Sequence, residues 1–92
     1  MKPSERPELQ AMMKGIGRFS DAKLIELLKT AEKMTDLLHT IFESRNLPAE
    51  PMLMALAMVL IEGSQDMEKF TRETFLEWMG EQWDAMARDG LN

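Results

Sequence analysis

This chain of 92 residues has no cysteine, no tyrosine, one histidine and only four prolines. Each shortage closes a class of function. Without cysteine there is no disulfide scaffold, no thiolate metal site and no thiolate nucleophile. One histidine with no cysteine beside it is a poor start for a metal centre. Basic residues are also scarce, 11 Lys and Arg against 16 Asp and Glu, for a net charge of -5 and a pI near 4.8. Phosphate backbones and anionic membranes are bound through Lys and Arg, so nucleic-acid and membrane-surface binding are disfavoured. No glycine-rich phosphate loop, nucleophilic triad, calcium loop or Asp-Ser-Leu carrier motif occurs. The residues therefore point to no enzyme, no cofactor and no metal.

Long hydrophobic runs are missing too. The longest is Met52-Leu-Met-Ala-Leu-Ala-Met-Val-Leu-Ile61, which as a helix rises about 15 Å, half the thickness of a hydrocarbon core. The first seven residues, Met-Lys-Pro-Ser-Glu-Arg-Pro, lack the apolar centre of a signal peptide, so a cytoplasmic location is expected.

What is abundant is methionine, ten in all, with leucine and alanine around it. Methionine is flexible and polarizable, and it suits adaptable cores and adaptable binding surfaces. The Met52–Ile61 run is rich in helix formers, and only Val59 and Ile61 in it are β-branched, so it reads as a helix. A helix apolar on every side has to be enclosed on every side.

The flanking segments are helical as well. Residues 1–6 read as a flexible arm, followed by a short helix over about 7–14 that Pro7 starts and Gly15 and Gly17 end. Ser20 is a good N-cap, with Asp21 at the favourable end of the helix dipole. From there Leu24, Leu27, Ala31, Met34, Leu38 and Ile41 recur at alternating spacings of three and four, predicting an amphipathic helix over about 21–44. Arg45-Asn46-Leu47-Pro48 reads as a turn, and the central helix is expected over about 50–63 because Pro51 disfavours helical geometry at Glu50. Gly63-Ser64-Gln65-Asp66 makes a break. The last helix, about 65–88, carries a seam of Leu76, Met79, Trp83 and Met86, with a bend or separate turn needed near Thr71. The expected fold is all-α, an antiparallel helical bundle of three principal helices plus a short N-terminal one, in a single domain over 1–92.

Two neighbours cannot shelter so apolar a central helix; the short helix with Leu9, Met12, Met13 and Ile16 could cover it, or a second copy, and a homodimer is the expectation, with a further protein partner of unknown identity. The candidate interface residues are Met54, Ala55 and Met58 on the central helix, with Phe70 and Trp78 at an edge of the last one. Trp83, on the seam, is expected in the core. Glu73, Glu77, Glu81 and Asp84 form an acidic ridge, read as a solvated face or as a docking ridge for a basic partner. His39, on the polar side of its helix, reads as solvated. These residues point to a small acidic interaction module: an adaptor, regulator or inhibitor. The alternative is an acidic decoy that mimics nucleic acid and occupies a basic surface. A helix-turn-helix DNA binder fits less well, because the last helix carries so many carboxylates.

Overall fold

The computed structural model describes residues 2–90 and is all-helical, with four α-helices: α1 Pro7–Ile16, α2 Asp21–Ser44, α3 Ala49–Gln65 and α4 Arg72–Gly90. A single 3-10 turn, Pro3–Glu5, precedes them. No helix among the described residues is long and apolar enough to cross a membrane.

Local chemistry accounts for the helix ends. Pro7 occupies the first turn of α1, where a missing N–H costs nothing. Gly17, at φ 124°, ends that helix in a conformation open chiefly to glycine, and its N–H closes on Met13 O. The Ser20 hydroxyl accepts from Lys23 N–H at 3.2 Å and caps α2. Asn46, at φ 48°, turns the chain after α2.

Several helix limits differ from the sequence expectation, and α1 runs through Gly15 to Ile16. Helix α3 starts at Ala49, so Pro51 falls inside its first turn, where the ring removes no intrahelical bond. It also runs through Gly63 to Gln65, and the buried Ser64 donates its hydroxyl back to Leu60 O at 2.8 Å. Helix α4 begins only at Arg72, because Thr71 takes the capping position and its hydroxyl accepts from Thr74 N–H at 3.1 Å. Of the bend or separate turn expected near Thr71, the structure has the turn, closed by Met67 N–H to Ser64 O and Phe70 N–H to Met67 O.

Close packing is concentrated in one place. Helix α1 lies along α4, and Leu9 and Ala11 of α1 and Ala85 of α4 are buried. Phe70 swings in from the preceding turn onto Gly15, and its ring stacks at 5.6 Å on Trp78. Phe75 meets Trp78 edge-on at 6.1 Å. The 3-10 turn ties the start of α2 to this unit: Ser4 N–H donates to Asp21 Oδ1 at 2.8 Å, and Leu24 is fully enclosed.

Beyond this unit the chain is open. Every residue of α2 from Lys29 to Ile41 is exposed, and α3 lies closely along none of the other described helices. The radius of gyration is 14.3 Å, against about 12 Å for a compact domain of this length.

Candidate interaction surface

Helix α3 is where residue chemistry and environment disagree most. Met54 is 67% exposed, Met58 59% and Val59 68%, and Ala55 is exposed beside them. Only Met52, Leu60 and Ser64 are drawn even partly inward. At its N-terminal end an apolar groove of about 280 Å³ opens between α3 and α2, floored by Phe42, Leu47, Met52 and Val59. At its other end a second, of about 350 Å³, is lined by Ile61, Phe70, Phe75 and Leu76.

Helix α2 continues the apolar surface. Met34, Leu37, Leu38 and Ile41 are all exposed. Its flanking hydroxyls are already satisfied within the helix: Thr30 donates to Glu26 O, Thr35 to Ala31 O and Ser44 to Ile41 O.

The sequence-predicted interface residues divide. Met54, Ala55 and Met58 stand outward on α3, whereas Phe70 and Trp78 are half-buried in the aromatic cluster against α1. Trp83, expected in the core, is 77% exposed. Two stripes compete along α4. The inner one is Phe75, Trp78, Gln82 and Ala85, half-buried to buried, and the outer one is Leu76, Met79, Trp83 and Met86, all exposed but the half-buried Met79. The face of α1 decides between them. Its Gly15 leaves room for the ring of Phe70, and Trp78 of the inner stripe packs against that ring.

The acidic ridge also lies on α4, with Glu73 and Asp84 exposed and Glu81 half-buried. Glu77 Oε1 is engaged by Lys14 Nζ at 2.7 Å, an exposed pair worth about 0.2–1 kcal/mol. His39 is exposed, and no cluster of three or more His, Asp or Glu that could hold a metal occurs among the described residues. Sequence reasoning missed one buried carboxylate, Glu8, whose Oε1 is gripped by Arg6 at 2.6 Å. The only signal for it is the Arg-Pro-Glu spacing of Arg6 to Glu8.

The Asp21 carboxyl is held below the usual carboxylate range, chiefly by the Ser4 backbone N–H it accepts. That contact joins the 3-10 turn, which packs on α1, to the start of α2. Comparison with protein-family models, curated proteins and solved structures finds no match for this chain.

Proposed function

We propose that this protein is a non-catalytic interaction module that acts as a homodimer, serving as an adaptor, regulator or small inhibitor. The observation that carries the reading is the uncovered apolar perimeter of α3. A compact monomer of 10.6 kDa exposes about 5,500 Å², whereas this chain exposes 7462 Å². The excess, on the order of 2,000 Å², is comparable to what one subunit of an obligate dimer buries. Much of the surface in question is apolar and lies on α2 and α3. A second copy carries the same uncharged face, so nothing in it opposes self-association.

The decoy reading has less support. A nucleic-acid mimic needs a continuous unpaired ridge, and Lys14 already draws on Glu77 within it.

The test is one buried charge. Met58→Glu should halve the mass measured by light scattering, because the carboxylate would have to be desolvated in the proposed interface. A wild-type mass of one chain, or an unchanged dimer mass in the variant with its helicity retained, defeats the proposal.

A further inference from the structure

Trp83 is the most exposed large apolar side chain among the described residues. With Leu76, Met79 and Met86 it spans about 80° of the α4 circumference, at 100° per residue. Leu76 is 51% exposed and Met86 65%. One border of the stripe is the α1 packing; the other is acidic, with Glu73, Asp84 and Glu77 about 60–100° from Leu76. Glu81 falls outside that border.

Gly80 lies between the stripe and its acidic border. A Cβ built there meets nothing within 4 Å, so packing inside the chain gives no reason for glycine at this helical position. A bare backbone beside an exposed tryptophan lets a second helix come close. The acidic border already shows which cation it accepts, because Lys14 Nζ sits 2.7 Å from Glu77 Oε1.

We propose that this stripe docks an amphipathic helix of another protein, one whose apolar seam is bordered by lysine or arginine. Charge complementarity selects that chemistry. It also argues against a second copy as the occupant. Helix α3 contains no Lys or Arg, the lysines of α2 alternate with Glu26, Glu32 and Asp36, and Lys14 of α1 is already engaged. No apolar helix in this chain offers a basic border. The proposal is independent of the α2–α3 surface. Together the two faces would let a dimer hold itself and a partner at once.

The probe is a synthetic helical peptide with leucine on its heptad seam and lysine on its flanks. Two controls share its length: one has glutamate flanks, the other the same residues scrambled so that no seam forms. Titrated into full-length Trp78→Phe, in which Trp83 is the remaining tryptophan, the lysine peptide should shift the emission to the blue. It should bind at least about tenfold tighter than either control. Trp83→Ala in the otherwise unchanged chain should abolish binding seen by calorimetry, and Glu73→Lys with Asp84→Lys should turn the preference toward the glutamate peptide. Equal binding of the scrambled peptide reduces the effect to bulk charge and overturns the proposal, as does equal binding of the glutamate peptide. A fall in light-scattering mass for Trp83→Glu, with helicity retained, would assign the stripe to a second copy instead.

Discussion

A methyl group added at Gly15 would stand 2.5 Å from ring atoms of Phe70, whereas one added at Gly80 would meet nothing within 4 Å. The same substitution should therefore act in opposite directions. Gly15→Ala gains helix propensity of about 1 kcal/mol but overpacks the α1–α4 seam, at a cost of about 1–3 kcal/mol. Its melting temperature should fall. Gly80→Ala keeps the propensity gain alone and should melt higher, and parallel thermal denaturation checks both. Asp21 gives a pH prediction of definite sign. Its carboxyl is depressed by the Ser4 N–H, so the contact stabilises the fold above the ordinary carboxylate pKa and is lost as pH falls through the lower folded value. Titration followed by carboxyl NMR should place the Asp21 midpoint below that of the Asp21 peptide segment in isolation. Protection of the Ser4 amide should disappear across the same interval.

The helices owe their limits to single side chains, and their persistence to cover. Ser20→Ala removes the hydroxyl that accepts from Lys23 N–H and should cost about 0.5–2 kcal/mol in denaturant titration. Most of a helix's stability comes from packing its apolar face, and α3 lies closely along none of the other described helices. In the Met58→Glu variant, amides of α3 and of α2 beyond Lys29 should exchange with solvent faster than those of α1 and α4, as hydrogen-exchange mass spectrometry would register. Element type and order were legible from residue spacing, and the limits of α2 were read closely, because Ser20 and Asn46 are strong local signals. The start of α4 was not. Ser64, Asp66 and Thr71 are all competent caps, and the choice of Thr71 goes with the docking of Phe70 onto Gly15. The choice of buried stripe on α4 was equally hidden. Leu76, Met79, Trp83 and Met86 make the more apolar seam, but Gly15 of α1 accepts the ring of Phe70, and Trp78 and Phe75 gather on that ring.

For the molecule as a whole, the excess surface on the order of 2,000 Å² gives the proposed dimer a thermodynamic test. If folding is completed by a second copy, the melting temperature should rise with protein concentration, by mass action. Calorimetry over a hundredfold concentration range reads this directly, and a concentration-independent midpoint would mark a chain that completes its fold alone. The candidate surface was partly legible. Met54, Ala55 and Met58 were marked by a run with no polar side chain, and they stand outward. Phe70 and Trp78 were marked by their place on the wheel and were drawn into the aromatic cluster.

Local rules read along the chain were enough for the helical class, the four helices and the excess of apolar residues in α3. Propensity, capping and periodicity act within a few residues, so they are written in the sequence. Which face of each helix meets another was settled only in three dimensions. Burial depends on the shape of the opposing surface: Gly15 of α1 admits Phe70, and Trp78 follows that ring inward while Trp83 stays exposed.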